Sequence, residues 1–414
     1  MPGPLHADRT ALVLAGGAAR GAYEVGVVEH VLTEVSKDLG EEVRLDILSG
    51  TSVGALNACG LAAYAHLRGK ERMAKVVEVW TKLDVHELVQ PDVRGILNMG
   101  SRLLGRSAPA GGVPAREGGL LAPEGLERFV EKHIPFDFIS ENIRAGNLEA
   151  LTVSTTHVPS GRTVVHVECR DHVLPEWSND PTTVARAADI DARHALASAA
   201  IPILFRAVQL DGAFHCDGGL RQNVPLSPAR RLGASRVLVV NPRFISTAPL
   251  DDGPADDSFP GPFFLLGKTL NALLLDRIDT DLSRLDTINR ILDAGARVAG
   301  PAFGAALNRE LGFPAGHGLR PMRALLVRAS ADIGTMAAEF VRSPAFAKVN
   351  GMTGRLMKRL AEPESRNEAD LLSYLLFDGD FAGQLIELGR ADAKKMHEEL
   401  CAFFENARRA KAER

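Results

Sequence analysis

The sequence predicts an α/β fold, with a mostly parallel central sheet flanked by helices and a helical C-terminal extension. Twice within the first 60 residues, a short apolar run leads into a glycine-containing turn and then into a segment with helical spacing. Strands that alternate with helices in this way are typical of parallel sheets covered by helices. Beyond residue 263 the apolar residues recur mainly at helical spacing, which predicts the extension.

The first strand–turn–helix unit begins at the apolar run TALVLA, residues 10–15, and continues through the small-residue loop GGAARG at 16–21 into AYEVGVVEHVLTEV. Such a loop presents backbone N–H groups to an anion. It is either an oxyanion loop, an imperfect dinucleotide fingerprint, or a tight turn without a ligand. We favour the oxyanion loop, because Ala18 replaces the middle glycine of the fingerprint and the next strand does not end in an acidic residue.

The second unit contains the most informative stretch of the chain, VRLDILSGTSVGALNA. Its apolar run from Val43 to Leu48 predicts a strand, and the segment GTSVG predicts a nucleophile elbow with Ser52 at its apex. The motif alone is common by chance, so the strand before it and the helix after it carry the interpretation. Gly50 and Gly54 suit this strained turn, because bulky residues would collide with the packed strand and helix.

A third feature is the segment HCDGG at residues 215–219. An Asp-Gly pair alone indicates a hairpin turn. Here ALASAAIPILF precedes it and predicts a tightly packed helix end, and LRQNVPLSPARRLGASRVLVVNP follows and predicts a helix and another strand. The pair is therefore either a hairpin turn or part of a functional motif.

The remaining elements follow from the same patterns. ALNACGLAAYAHL, RMAKVVEVWTKL and EGLERFVEKHI predict helices, and LEALTVSTTHV and RTVVHVEC, joined by PSG, predict a hairpin. Residues 100–120 are rich in Gly, Ala, Pro and Arg and predict a flexible loop or lid. Residues 246–262 are the clearest linker, and PMRALLVRAS predicts a strand that returns to the main sheet. Residues 263–277 predict a core helix, with a helix that lines an acyl-chain groove or touches a bilayer surface as the alternative.

Taken in order, GGAARGAYEVGV, GTSVGALNA, SAAIPILF and CDGGLRQNVP resemble the motifs of patatin-like phospholipases in sequence and spacing. The resemblance covers roughly residues 8–245, and weaker similarity to bacterial members continues in LDRIDTDLSRL, PMRALLVRAS and LLSYLLFDGDFAGQLIELGRADA. It implies a patatin-like catalytic domain at 8–245, a linker at 246–262 and a mainly helical region at 263–414 packed on that domain. It implies neither a metal nor a cofactor.

The resemblance also implies a Ser–Asp dyad without histidine. Ser52 would be the nucleophile, Asp217 would activate it, and Gly218 and Gly219 would complete the Asp-Gly-Gly motif. Physical chemistry supports this assignment, because a serine hydroxyl is a poor nucleophile without an adjacent base, and a carboxylate serves as one at hydrogen-bond distance.

In the same family the glycine-rich loop supplies oxyanion donors, here Gly16, Gly17 and Ala18. Arg20 matches the family's loop arginine and is a candidate for binding a lipid phosphate. The chain departs from the family pattern G-G-G-x-R-G at Ala18. If that position uses φ > 0, alanine costs about 1 kcal/mol or more there.

A Ser–His–Asp triad is the rival mechanism. In α/β-hydrolases the chain order is Ser, acid, His, and only His317 and His397 follow the aspartate. His317 lies in the loop-like GFPAGHGLR and is the serious candidate, whereas His397 lies in a charged helix and is expected to be solvated. His215 would share a strand face with Asp217 and could tune that carboxylate, with an ordinary strand histidine as the alternative.

Composition limits the class of protein. The chain has 414 residues, 45% of them hydrophobic, and a formal net charge of −4, so it carries no basic field for nucleic acid. The four cysteines form no C-x-x-C pair, and we expect reduced thiols in a cytoplasmic protein. There is neither an apolar signal segment in MPGPLHADRT nor a run of about 20 apolar residues, so any membrane contact is expected to be peripheral.

Three functional hypotheses follow. The first is a serine acyl hydrolase of lipid esters, of the phospholipase A or lysophospholipase type, active in lipid degradation. The second is a nucleotide-binding protein that uses the loop at 16–21. The third is a non-catalytic lipid-binding protein. Labelling of Ser52 by a fluorophosphonate separates the first hypothesis from the other two.

Overall fold

The computed structural model describes residues 9–92, 119–175, 177, 181–245, 278–313, 318–361 and 369–412. In this part of the chain nine strands form one mixed sheet, with the order β5-β4-β3-β2-β1-β8-β9 and with β6 and β7 attached beside β3. The strands are β1 (Arg9–Leu14), β2 (Ile47–Thr51), β3 (Ala150–His157), β4 (Arg162–Cys169), β5 (Thr183–Ala187), β6 (Val208–Leu210), β7 (Ala213–Asp217), β8 (Ala234–Asn241) and β9 (Arg323–Arg328). The predicted α/β fold with a mostly parallel sheet is confirmed.

Helices cover the sheet and form most of the C-terminal region. They are α1 (Ala22–His30), α2 (Ser36–Leu39), α3 (Val53–Ala63), α4 (Gly69–Thr81), α5 (Val85–Leu88), α6 (Glu124–His133), α7 (Asp137–Ala145), α8 (Ala192–Ser198), α9 (Leu226–Arg231), α10 (Ile278–Ala299), α11 (Phe303–Glu310), α12 (Ile333–Arg342), α13 (Gly351–Leu360), α14 (Ala369–Leu375), α15 (Gly379–Lys395) and α16 (His397–Ala412). A π-helical turn at Val31–Val35 joins α1 to α2. None of the described helices is long and apolar enough to cross a membrane.

Alternate residues of the central strands face two hydrophobic cores. On β1, Leu12 and Leu14 belong to the larger core, while Ala11 and Val13 belong to the smaller core on the opposite face. This is the period of two that a strand imposes on its side chains. Because both faces are covered, the strand is apolar throughout, as the run TALVLA predicted.

One strand, β3, positions the two halves of the functional site. Along one side it pairs with β4 over its whole length. Along the other side it pairs in parallel with β2 as far as Ser154, and then antiparallel with β7 from Thr155 onward. The strands β2 and β7 therefore run towards each other beside β3, and their carboxyl ends meet.

The C-terminal region is built into the same sheet. Strand β9 pairs in parallel with β8, which confirms the strand predicted for PMRALLVRAS. Helix α15 crosses α1 at two glycines, since a Cβ on Gly26 would overlap the Ile386 carbonyl and one on Gly389 would overlap the Tyr23 carbonyl. The division of the chain at 246–262 into two regions stays a prediction.

Two sequence expectations need comment. Strand β2 begins at Ile47 rather than at Val43. Just before it, the Asp46 carboxylate accepts a hydrogen bond from the Thr10 N–H at 2.9 Å. The linker at 246–262, the helix at 263–277, His317, and the loop at 100–120 apart from its last two residues lie outside the described residues.

Candidate active site

Ser52 stands where β2 ends and α3 begins. Its backbone has φ 56° and ψ −128°, a conformation that favours glycine, and its side chain is almost fully buried. A Cβ on Gly50 would overlap the Gly54 carbonyl, and one on Gly54 would overlap the carbonyl of Leu14 at the end of β1. Both glycines are therefore required by close backbone approach, as the elbow motif predicted.

The backbone of Ser52 is held from a distance as well. Its N–H donates to Ser198 Oγ at 2.8 Å, and the Ser198 hydroxyl donates in turn to the Ser154 carbonyl at 2.6 Å. Helix α8 and strand β3 thus fix the turn. This N–H is already committed, so it is not free to bind a substrate oxygen in this state.

Asp217 ends β7 directly opposite the elbow. Its backbone is held by its own N–H, which donates to the Ala200 carbonyl at 2.9 Å, and by its carbonyl, which accepts from Thr156 Oγ1 at 2.9 Å. A Cβ on Gly218 would overlap the Ser154 carbonyl and would lie 3.1 Å from Thr51 Cγ2. Asp217-Gly218 is therefore packed against the carboxyl ends of both β2 and β3, and it is not a hairpin turn.

The Asp217 carboxyl is fully buried, and one of its two oxygens accepts a hydrogen bond. Oδ1 accepts from the Gly219 N–H at 2.7 Å, whereas Oδ2 has no hydrogen-bond partner among the described residues. Burial raises the pKa of this carboxyl to about 7, although the Ser52 hydroxyl and the Gly219 N–H each lower it in part. The Ser52 side chain thus influences the carboxyl, while Oδ2 is left without a hydrogen-bond partner among the described residues.

The glycine loop lies beside Ser52. A Cβ on Gly16 would lie 3.1 Å from Ser52 Cβ and would overlap Asn223 Oδ1. The Gly16 N–H donates to the Asn223 carbonyl at 3.1 Å. Within the described part of the chain the Gly17 and Ala18 amides have no intramolecular acceptor. Ala18 has φ 48°, so the position does use the left-handed conformation that made the alanine noteworthy in the sequence.

Arg20 is buried and contacts the C-terminal region. Its Nε donates to Ser373 Oγ at 2.8 Å, its Nη2 donates to Asp370 Oδ1 at 3.0 Å, and its guanidinium lies 4.2 Å from the centre of the Tyr374 ring. Arg20 also lines a small cavity with Gly16, Gly17 and Asn223. The phosphate-binding role of Arg20 stays a prediction.

Asn57 connects the elbow helix to the glycine loop. Its Nδ2 donates to the Gly21 carbonyl at 3.0 Å and to Glu24 Oε2 at 2.8 Å, and its Oδ1 accepts from Trp80 Nε1 at 2.8 Å. Burial raises the pKa of Glu24, which favours the neutral acid in this apolar setting. The network holds α1, α3 and α4 together directly behind the site.

No described histidine forms a hydrogen bond to Ser52 or Asp217. His215 is paired instead with Thr155 Oγ1 at 2.8 Å, and burial lowers its pKa to about 4. His397, which was expected to be solvated, is partly exposed and also paired: its Nδ1 lies 3.0 Å from His30 Nε2 and its Nε2 lies 2.9 Å from Asp38 Oδ2, because α16 packs against the helices at 22–39.

Two adjoining cavities lie near Ser52, and the first of them reaches it. The first is lined by Ser52, Ala18, Ala199, Ile201, Phe205 and others. The second is almost wholly apolar and lies between α3, α4 and α6, with Gly60, Tyr64, Trp80 and Phe129 in its wall. They share Val53, Leu56, Leu126 and Phe377. Together they form an apolar space that begins at the serine.

Ser198 and Asn223, which hold Ser52 and the glycine loop, were not among the residues predicted from the sequence. Both lie inside segments that carry the family resemblance, SAAIPILF and CDGGLRQNVP. Ser198 stands out as a polar residue among small and apolar neighbours, whereas Asn223 follows Arg221 and Gln222 and gave no such signal. Among the described residues, no group of three or more His, Cys, Asp or Glu is arranged to hold a metal.

The fold and the site together define a class of protein, an α/β protein in which a serine elbow faces a buried carboxylate. A model of the patatin-like phospholipase family matches residues 12–230, which is more than half of the chain, and the chain belongs to this family. The family consists of lipid acyl hydrolases.

Two further comparisons add less. The chain is similar to the crystal structure of VipD from Legionella pneumophila, with 15% identity, coverage of 92% of this chain and 67% of that chain, and a TM-score of 0.30, which is too low to support an argument. No protein of curated description matches the chain.

Proposed function

We propose that the protein is a serine acyl hydrolase of lipid esters, of the phospholipase A or lysophospholipase type, and that Ser52 and Asp217 are its catalytic dyad. One observation carries the proposal: β2 and β7 meet end to end beside β3, and this brings the serine of a strained elbow to a buried carboxylate with a free oxygen.

The raised pKa of Asp217 suits a general base. An ordinary aspartate is a weak base at neutral pH, whereas a carboxyl with a pKa of about 7 is half ionised there and accepts a proton more readily. The free Oδ2 is the atom that would receive the proton from Ser52. In this role Asp217 does the work that histidine does in a triad.

The reaction then follows in two halves. The Ser52 oxygen bonds to the ester carbonyl carbon while its proton passes to Asp217 Oδ2. The tetrahedral intermediate collapses, the ester C–O bond breaks, and Asp217 returns the proton to the leaving alcohol. Water attacks the acyl-enzyme with Asp217 again as base, which releases the fatty acid and restores the Ser52 hydroxyl.

The negative oxygen of each intermediate needs fixed donors. We assign this role to the Gly17 and Ala18 amides, because the Gly16 N–H is bound to Asn223 and the Ser52 N–H is bound to Ser198. The positive end of the α3 dipole adds to this field. Loss of one such donor costs about 10²–10³-fold in kcat in well-studied hydrolases.

The apolar space beside Ser52 points to a lipid acyl group. Few polar groups line the two cavities. A fatty acyl chain would gain about 0.8 kcal/mol for each CH₂ buried there. We propose that the enzyme works in the cytoplasm and meets lipid at a membrane surface without crossing it.

The nucleotide-binding alternative draws no comparable support, because the glycine loop is packed against Ser52 and Asn223. A fluorophosphonate probe and a lipid panel test the proposal together. We expect the probe to label Ser52 and the wild type to release fatty acid from phosphatidylcholine or lysophosphatidylcholine vesicles, and Ser52→Ala to lose both by about 10⁴-fold or more. An unlabelled wild type that binds ATP or NAD in calorimetry would favour the nucleotide hypothesis.

A further inference from the structure

The side chain of Arg20 joins the glycine loop to a helix about 350 positions further along the chain. On that helix, α14, Ser373 is fully buried, and its hydroxyl donates to the Asp370 carbonyl at 2.7 Å. The single hydroxyl proton is thereby used, so the Ser373 oxygen can only accept from Arg20 Nε. Asp370 Oδ1 receives Arg20 Nη2, and the Tyr374 ring lies over the guanidinium. The Arg20 guanidinium is thus held by hydrogen bonds at Nε and Nη2 and by the Tyr374 ring against its flat face.

The backbone that Arg20 controls is the one proposed to bind the oxyanion. The Arg20 N–H donates to the Gly17 carbonyl at 3.1 Å, which closes a turn over Ala18. Ala18 within this turn has φ 48°, a conformation that alanine keeps only when its surroundings impose it. Because the Gly17 carbonyl and the Ala18 N–H belong to one peptide group, holding Arg20 helps to hold the direction of the Ala18 amide.

The same C-terminal segment reaches the site at two further points. Tyr374 lines a small cavity together with Arg20, Gly16, Gly17 and Asn223. Phe377, two residues after α14, lines both cavities near Ser52. The segment from Asp370 to Phe377 is therefore part of the environment of the site, although it lies outside the residues that match the family model.

We propose that Asp370, Ser373 and Tyr374 are positioning residues for the oxyanion loop, and that Arg20 transmits their effect instead of binding a substrate phosphate. This inference rests on the proposed function. It predicts that loosening the Arg20 anchor lowers the rate of the chemical step for every ester, whatever its headgroup.

Ser373→Ala and Arg20→Lys test it, each measured alone and in combination. Ser373→Ala removes the acceptor for Nε, and Arg20→Lys keeps a charge beside Asp370 but cannot make the Nε bond. We expect each variant to lower kcat by about 10-fold, with KM changed less than about twofold, equally on a neutral p-nitrophenyl ester and on a phospholipid. The double variant should be little worse than Arg20→Lys, because both changes remove the same hydrogen bond.

A matched control is the pair Arg390–Glu29, which also joins the C-terminal region to α1 but does not touch the loop. Glu29→Gln should lower the melting temperature while leaving kcat unchanged. If Ser373→Ala and Arg20→Lys likewise lose only melting temperature, the positioning role is wrong. A loss confined to phospholipid would show that Arg20 binds phosphate and would overturn it too.

The fluorophosphonate probe separates failure of this inference from failure of the proposed function. Slower labelling of Ser52 in Ser373→Ala than in wild type and Glu29→Gln is the expected result. Equal labelling of all three proteins would overturn the positioning role alone. A wild type that is neither labelled nor active would overturn the proposed function and this inference with it.

Discussion

Two residues of the site hold a backbone conformation that favours glycine, and the molecule holds them in different ways. Ser52 has φ 56°. Its turn depends on a neighbour close in sequence, because Gly50 lets the strand touch Gly54, and on distant groups, because Gly54 touches Leu14 and the Ser52 N–H is held by Ser198. Ala18 has φ 48°, and its loop is kept by Asn223 and by the Arg20 contacts to α14, more than 200 positions away. The proposed nucleophile is thus positioned by local sequence together with tertiary contacts, and the proposed oxyanion loop by distant contacts.

The largest expected effect on activity is that of replacing Asp217, the proposed partner of Ser52. Asp217→Asn keeps the shape and the Gly219 contact but removes the base, so activity should collapse about as far as in Ser52→Ala, by about 10⁴-fold. The double variant should be little worse than either single variant, because residues that act as one unit are not additive. Esterase rates of the three variants, after circular dichroism of each, give the answer. An Asp217→Asn enzyme with activity near wild type would refute the dyad.

The buried Asp217 carboxyl should also make the stability of the folded protein depend on pH. Burial raises the pKa of Asp217 to about 7, whereas an unfolded aspartate titrates near pH 4. The folded protein keeps a proton that the unfolded chain loses, so the free energy of unfolding should fall as pH rises from about 4 to 7. Urea unfolding at several pH values should show this fall in wild type and less of it in Asp217→Asn.

Adding one methyl group at Gly54 tests whether close packing shapes the elbow. In Gly54→Ala the new Cβ would overlap the Leu14 carbonyl, so we expect a loss of about 3 kcal/mol in the free energy of unfolding and a drop of about 100-fold in kcat. Gly60→Ala on the same helix is the control, because a Cβ there meets nothing within 4 Å. It should be neutral or slightly stabilising. Equal effects of the two changes would contradict the close-packing explanation.

The helix that carries the elbow also carries a wall of the apolar space. Gly60 lines the larger cavity and has room for a side chain, so Gly60→Leu should fill part of it without a clash. We expect kcat/KM for a long-chain p-nitrophenyl ester to fall about 10-fold relative to a short-chain ester. Gly383→Leu, on α15 with equally open space, controls for the helix substitution. An unchanged preference in Gly60→Leu would mean that the acyl chain lies elsewhere.

The smallest effect concerns the loop. Ala18→Gly relieves a conformation that costs alanine about 1–2 kcal/mol. Glycine also gives the unfolded chain more freedom, at a cost of about 0.4–1 kcal/mol. We expect a net gain below about 1 kcal/mol in chemical denaturation, with kcat kept within about threefold. A clear loss of stability would show that Ala18 contributes packing that outweighs its strain.

The difference between local and distant contacts also explains which parts of the structure could be predicted from the sequence. The strand, turn and helix around Ser52 were predictable, because propensity and glycine spacing act over a few residues. The buried strand β1 was too, although β2 starts at Ile47 rather than at Val43. The meeting of β2 and β7 was not predictable from either strand, because it depends on their shared register with β3.

Arg20 shows the limit most clearly. Next to the glycine loop it suggested a phosphate ligand, and nothing in its neighbourhood indicated that Asp370 and Ser373 would hold it. Ser198 and Asn223 were similarly hidden, because their roles depend on backbone groups supplied by other elements. Such contacts are properties of the folded chain rather than of a local pattern.

The pH dependence of kcat/KM tests the central claim, a base that is aspartate and not histidine. For wild type, His215→Ala and His317→Ala, the account predicts that kcat/KM rises with pH through one ionisation near pH 7, since Asp217 must lose its proton to act as base. All three proteins should share this ionisation and keep most of their activity. Loss of the ionisation together with collapse of activity in His317→Ala, while Asp217→Asn stays active, would contradict it.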